Sequence, residues 1–291
     1  MLFNFRKKRS CMEREILAQA EISQRIIDAY VSSDGNISID LPQNINRIIL
    51  VASGSSYHCA RYAAELFGTI SKIEASAVYS SEFLLENTIA HDENILYIFI
   101  TQSGETTDTN SALEKAKEHG VKTLCITNKE NSTIWNASDY KIACLAGEEK
   151  SIAATKSFTS QLLCSTLLAL KFAQNNGIDV YDYVLDLKTI PSYINKTFEL
   201  KTKIKQLARF LSKFKNIIMT ADGQSYALAK EASLKIKETS YISTTSAILG
   251  EFMHGHVAVL NNKNAVLVYI LNDDLTYTAT KNLNKIKESY N

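Results

Sequence analysis

Apolar residues in this chain gather into short, near-continuous runs, separated by longer stretches in which they recur every three or four positions. The runs lie at 47–52, 73–79, 95–101, 121–126 and 140–145, and most carry β-branched residues. The run Ile95-Leu96-Tyr97-Ile98-Phe99-Ile100 has no polar alternation, which predicts a strand buried on both faces and hence a parallel sheet. Spacing predicts helices over 12–32, 56–71, 106–119, 130–138 and 157–175, with Gly120 at a C-cap. Strand and helix alternate across 45–175 as in a five-stranded, doubly wound α/β domain, preceded by a tail and helix over 1–44. Residues 176–214 read as a helical linker, with Pro191 near a helix start. A second α/β domain over 215–291 offers a strand at 216–221, a helix at 225–238, a strand at 264–271 and a last helix at 274–290. Compared with the first domain it lacks its last two strands. The expectation is a truncated second sheet, or one whose open apolar edge a partner covers.

The two domains repeat each other. At an offset of 169, residues 48–66 and 217–235 are identical at eight of nineteen positions, among them Gly54/Gly223, Ser56/Ser225 and Tyr57/Tyr226. Each copy is an apolar run, a Gly/Ser loop and a helix, the opening unit of an α/β domain. Such a loop aims backbone N–H groups and a helix N-terminus at whatever sits before it, so each copy offers a candidate anion site.

Composition narrows the partners. The 291 residues are 45% hydrophobic with a net charge of +1, enough apolar material for two cores and no bulk field to recruit nucleic acid or an anionic membrane. The one basic cluster, Arg6 to Arg9, reads as a solvated tail. The five cysteines include no C-x-x-C pair, and no signal peptide or membrane-length apolar stretch is present, which points to the cytosol.

Four segments carry candidate chemistry. Thr101-Gln102-Ser103-Gly104-Glu105-Thr106-Thr107 follows a predicted strand and opens a helix, with four hydroxyls in seven residues, more than a helix cap needs; phosphate binding is the expectation, with Gly104 letting the backbone come close. Ser53-Gly54-Ser55-Ser56 is a second hydroxyl-rich loop at another strand end, placed to converge on the same crevice. Glu231, Lys235 and Glu238 share one helix face at i, i+4 and i+7; this spacing fits a solvated salt-bridge stripe and equally a proton-transfer cluster. Gly250 to His256 holds two histidines around a glycine. With no Cys or Asp nearby to complete a ligand set, an acid/base His is expected there and no metal or other cofactor. Ala154 and Thr155 open a further helix, Thr155 reading as its cap and Lys156 as a cation that meets an anion or solvent.

Together these segments resemble the sugar isomerase (SIS) domain family, and within it the isomerase half of the glucosamine-6-phosphate synthases. SGSSYH, SSEF (80–83), TQSGETTDT, ITN, AATKSFTSQL, KEASLKIKETSYI and GEFMHGH occur in the family's order. The resemblance implies two tandem doubly wound SIS domains with parallel sheets in three αβα layers. It implies that Ser55, Thr101, Gln102, Ser103 and Thr106 hold a sugar phosphate, beside Ser53, Gly54, Ala154 and Thr155. It assigns Glu238 to proton transfer between C1 and C2, Glu231 and Lys235 to its support, and His254 to ring opening from a neighbouring subunit of a homodimer. Ser53, Ala154 and His256 stand where the family usually has Cys, Ser and Pro, which bears on the substrate. The glutaminase domain and the Schiff-base Lys tail of the synthases are not part of this sequence. The reactions implied are aldose–ketose isomerisation or deamination of a hexose or amino-hexose 6-phosphate, with a fructosamine-6-phosphate deglycase as the alternative. A non-catalytic sugar-phosphate sensor is the alternative of another class.

Overall fold

A computed structural model describes residues 9–271 and 273–288. Most of the basic tail cluster, Arg6 to Lys8, and the last residues of the expected final helix, 289–290, lie outside them. The N-terminal helical pattern forms two helices, α1 (Cys11–Leu17) and α2 (Gln19–Tyr30), which break at Ala18. The first α/β unit follows as β1 (Arg47–Ala52), α3 (Gly54–Leu66), β2 (Glu74–Tyr79), α4 (Ser80–Leu85), β3 (Ile95–Thr101), α5 (Thr107–Glu118), β4 (Lys122–Thr127), α6 (Thr133–Ala137), β5 (Tyr140–Ala143) and α7 (Lys156–Asn175). A π-helical turn, Phe67–Ser71, ends the stretch expected as one helix over 56–71.

All five strands are parallel, in the order β2-β1-β3-β4-β5. Every residue of β3 is buried. Leu96, Ile98 and Ile100 face a core shared with α2, α3 and α7, while Tyr97 and Phe99 face the core beneath α4, α5 and α6. This is the physical content of an unbroken apolar run: helices cover both faces, so neither set of alternating side chains meets water.

Helices α8 (Tyr181–Glu199) and α9 (Lys201–Leu211) lead to the second unit: β6 (Asn216–Ala221), α10 (Gln224–Ser240), β7 (Ser243–Ile248), β8 (Asn264–Tyr269) and α11 (Asp273–Glu288). Pro191 lies inside α8 and not near its start. Its ring removes one N–H from the helix ladder, and Val184, Leu187 and Ile190 compensate by packing on the core that α2 shares. Among the described residues the second sheet has three parallel strands in the order β7-β6-β8, the arrangement of β2-β1-β3 in the first. β7 is the element the apolar-run criterion passed over: its sequence, Ser243-Thr244-Thr245-Ser246-Ala247-Ile248, buries only Thr244 and Ala247. The repeat extends to the backbone. Gly54 and Gly223, equivalent in the two copies, both take a left-handed φ, +56° and +54°, a conformation that disfavours any side chain with a Cβ.

The loop between β5 and α7 is tied down by two carboxylates. Glu15 of α1 is buried and accepts the N–H groups of Lys150 at 2.5 Å and Ser151 at 3.2 Å. Burial pushes its carboxyl up, but the donors from Lys150, Ser151 and Cys11 outweigh it and hold the group below the usual glutamate range. Glu149 then caps α7 in place of the expected Thr155. It accepts the N–H of Thr155 at 2.8 Å and of Ser157 at 3.2 Å, together with both hydroxyls. A carboxylate suits a helix N-terminus better than a hydroxyl because it also meets the dipole.

A carboxyl held low by folding stabilises the fold above about pH 4 and loses that contribution as pH falls through the lowered value. Glu15→Gln should therefore cost about 1–3 kcal/mol near neutral pH, the worth of hydrogen bonds to a charged acceptor. Urea midpoints of wild type and variant should approach each other on acidification. A gap that stays constant from about pH 7 to about pH 3 would assign the loss to packing instead.

Candidate functional site

A sheet ordered 2-1-3-4-5 reverses direction between β1 and β3, and the crevice outside their carboxyl ends is where open α/β sheets bind ligands. Ala52 at the end of β1 pairs with Ile100 of β3, so the loops that follow leave the sheet side by side. These are the Ser53–Ser56 loop entering α3 and the Thr101–Thr106 loop entering α5. The structure thus brings together the two hydroxyl-rich segments.

In the second loop Thr101 is buried, and its hydroxyl lies 3.0 Å from that of Thr106. Ser103 Oγ accepts the Glu105 N–H at 3.1 Å, which leaves its own proton to donate. Thr106 stands at the N-cap of α5 yet makes no side-chain cap bond, so the first amides of α5 have no side-chain acceptor. Glu105 turns away from the crevice. Its carboxylate accepts the Thr133 hydroxyl at 2.7 Å and N–H at 3.2 Å, and these bonds hold it below the usual range. The negative charge of the segment is thereby spent on α6. Among the described residues the side chain of Gln102 makes no hydrogen bond, while its carbonyl receives the Asn128 N–H at 3.2 Å.

Gly104 is also required by packing. It is buried at φ +69°, and a Cβ there would stand 2.0 Å from Ser132 Oγ. Ser132 is itself fully buried and donates to the Lys129 carbonyl at 2.7 Å.

The second-domain helix α10 closes the crevice from the other side. Lys235 Nζ reaches across the domains to donate to Ser55 Oγ at 3.1 Å. The same ammonium lies 2.6 Å from Glu238 Oε2 and 3.4 Å from Glu231 Oε1. The predicted helix face is therefore a partly buried cluster directed at α3 and not a solvated stripe: Lys235 has 20% of its side chain exposed and Glu231 has 7%. Glu231 is further held by His58 Nδ1 of α3 at 2.7 Å. His58 was in plain view within SGSSYH, but one histidine in a helix gives no signal until its partner, 173 residues away in sequence, is known.

Other expected residues are placed differently. His254 is exposed in the turn after β7, where its backbone N–H donates to the Glu251 carbonyl, and among the described residues its side chain makes no hydrogen bond or ion pair. Ala154 and Thr155 belong to the loop capped by Glu149, and Lys156 is buried, donating to the Glu148 carbonyl at 2.7 Å. The second Gly/Ser loop is not equivalent to the first. Asp222 replaces Ser53, so a carboxylate precedes α10, and its Oδ1 accepts the Gly250 N–H at 3.0 Å. Among the described residues no group of three or more His, Cys, Asp or Glu side chains is arranged to hold a metal ion.

A cleft of about 460 Å³ runs beside α10, lined by Gly54, His58, Tyr79, Lys230, Ser233 and Thr245 among others. Burial, with Arg61 nearby, lowers the Lys230 ammonium below the usual lysine value, and it lies over the rings of Tyr57 and Tyr226. A groove of similar volume between the N-terminal and linker helices, lined by Ile16, Leu17, Phe198 and Ile204, is mostly apolar and shares no residue with the crevice.

A family model of the SIS domain matches residues 43–171 and 210–289. The chain belongs to the SIS domain family. This SIS chain is 33% identical over 269 residues to the glutamine–fructose-6-phosphate aminotransferase [isomerizing] of Caldanaerobacter subterraneus, covering 90% of the chain and 44% of that protein. It is likewise 33% identical to that of Campylobacter jejuni, covering 93% of the chain and 46% of the relative. It thus spans less than half the length of these curated relatives. Among solved structures, the C-terminal domain of glucosamine-fructose-6-phosphate aminotransferase from Francisella tularensis superposes with a TM-score of 0.92 at 30% identity, over 97% of this chain and 82% of that one. A glucosamine-6-phosphate deaminase from Thermotoga maritima shares the SIS fold, with a TM-score of 0.78 at 21% identity over 96% of this chain and 82% of that one. No helix among the described residues is long and apolar enough to cross a membrane.

Gly104→Ala should lower stability by about 1–3 kcal/mol, the joint cost of a strained φ and an overpacked core. Urea denaturation measures it. An unchanged midpoint would mean that the loop yields and that glycine is not required there for packing.

Proposed function

We propose that this chain acts on a hexose or amino-hexose 6-phosphate, isomerising or deaminating it at C1 and C2. The observation that carries the reading is the Lys235 ammonium, which joins Ser55 at the head of α3 to Glu238 on α10. It sets an acid/base group against a hydroxyl-lined, uncapped helix N-terminus. The names of the relatives, which concern fructose 6-phosphate and glucosamine 6-phosphate, favour the same substrate class.

In this reading the phosphate sits before α5, held by the hydroxyls of Ser103 and Thr106 and by free amides. Ser53, Gly54, Ser55, Gln102 and Thr101 shape the floor, with Ala154 and Thr155 at the margin. The Glu238 carboxylate takes a proton from one carbon next to the carbonyl and returns it to the neighbouring carbon. The Lys235 ammonium offsets the negative charge that develops on the substrate oxygen. His254 acts from a second copy, in a homodimer whose two sites each draw on both chains.

Glu238→Gln keeps the side chain's shape and removes the base. Its kcat should fall about 10²–10⁴-fold, with sugar-phosphate affinity retained. Assays on glucosamine 6-phosphate, fructose 6-phosphate with ammonia, and fructosamine phosphates name the substrate. Near-wild-type turnover by the variant would return Glu238 to a structural ion pair. Tight binding with no turnover by wild type would favour a sensor.

The shared site has its own test. Mixing Glu238→Gln chains with His254→Ala chains leaves one site of each mixed dimer with neither lesion, so activity should return in part. Mixed dimers that form and stay inactive would mean that each chain holds a complete site.

A further inference from the structure

Resting on that reading, we infer that His58 is a positioning residue: by holding Glu231 it leaves Lys235 free to serve Glu238 and Ser55. Three facts combine. First, His58 sits on α3 one turn beyond Ser55, with 9% of its side chain exposed, and its Nδ1 is 2.7 Å from Glu231 Oε2. An ionised carboxylate only accepts, so Nδ1 carries the proton of this bond. Second, Glu231 Oε1 is buried with no hydrogen-bond donor, facing only the longer ion pair with Lys235 at 3.4 Å. A carboxylate this far from water draws strongly on any cation in reach. Third, the cation in reach is the one the chemistry needs, since Lys235 also meets Glu238 Oε2 at 2.6 Å and Ser55 Oγ at 3.1 Å.

Two carboxylates on one helix face therefore compete for a single ammonium. His58 biases the competition by satisfying Glu231 from the side away from Lys235. Without that donor, Glu231 would pull the ammonium toward itself and away from both Glu238 and the Ser55 hydroxyl. The imidazole's hydrogen bond is to Glu231, and in this inference it acts through that carboxylate. Ser55 and His58 also make α3 a two-point seat for α10, so the same contact that aligns the domains sets the geometry of the base.

The test compares His58→Ala with His58→Asn, whose amide places an N–H donor near the position of Nδ1. His58→Ala should lose about 10–100-fold in kcat, the usual effect of a misplacement near 1 Å, with KM within about threefold. His58→Asn should recover to within about threefold of wild type in kcat. Adding His58→Ala to Glu231→Gln should cost less than the two losses multiplied together, as expected of groups acting in series. Should His58→Ala not fold, His58→Phe fills the ring's volume without a donor and takes its place. A second readout needs no turnover: after reductive ¹³C-methylation, the Lys235 methyl resonance should move in His58→Ala and stay near its wild-type position in His58→Asn. A wild-type enzyme inactive on every sugar phosphate would overturn the proposed function, and the resonance would then decide this inference alone. An unmoved resonance in His58→Ala overturns it. So does a kcat within threefold of wild type, a loss confined to KM, or a failure of His58→Asn to recover.

Discussion

The packing of α10 on α3 is the contact on which the candidate site depends. Neither helix carries the cluster alone. α3 presents Ser55 and His58 at one end of the first sheet, and α10 presents two carboxylates and an ammonium. Bringing the faces together buries Glu231, which is unfavourable unless the buried charge is answered from both sides. His58 answers it from α3 and Lys235 from α10 itself. The ion pairs of this interface are thus not surface ornaments of small net worth. They are the condition under which two α/β units close on one crevice.

The crevice itself follows from topology. Parallel strands buried on both faces put every strand-to-helix loop at the same end of the sheet, and the 2-1-3-4-5 order opens a gap between β1 and β3 there. What the sequence adds is the choice of residues at that gap. Hydroxyls line it, the one carboxylate in the Thr101–Thr106 loop is tied to Thr133, and Gly104 lets the loop pass close over Ser132.

Much of this was legible in the residues, and the exceptions have reasons. β3 was readable because its seven residues are buried without alternation, and the repeat was readable because β1–α3 and β6–α10 keep their glycines in step. β7 was not, because a strand with four hydroxyl residues and two buried positions sends no apolar signal. Pro191 misled because tertiary packing on α2 outweighs its local cost. Thr155 looked like a cap because sequence shows hydroxyls beside a helix start but not a carboxylate six residues away folding back. The Glu231–Lys235–Glu238 face was readable as a face, whereas its burial depended on α3, 173 to 180 residues earlier. His254 was readable as a candidate, and a single chain leaves it exposed.

The matched left-handed glycines at 54 and 223 carry a consequence for how such a molecule diversifies. The backbone of both loops has been kept while their chemistry has parted: Ser53 and Ser55 in one, Asp222 and Gln224 in the other. Duplication of a single unit would give two equivalent pockets in competition for the same anion. A carboxylate before the second helix removes that equivalence, since Asp222 stands where the first copy has Ser53 and accepts the Gly250 N–H. Under the proposed function this difference is a division of labour, in which one copy recognises the substrate and the other reacts, so that substitutions retuning the reaction need not disturb recognition.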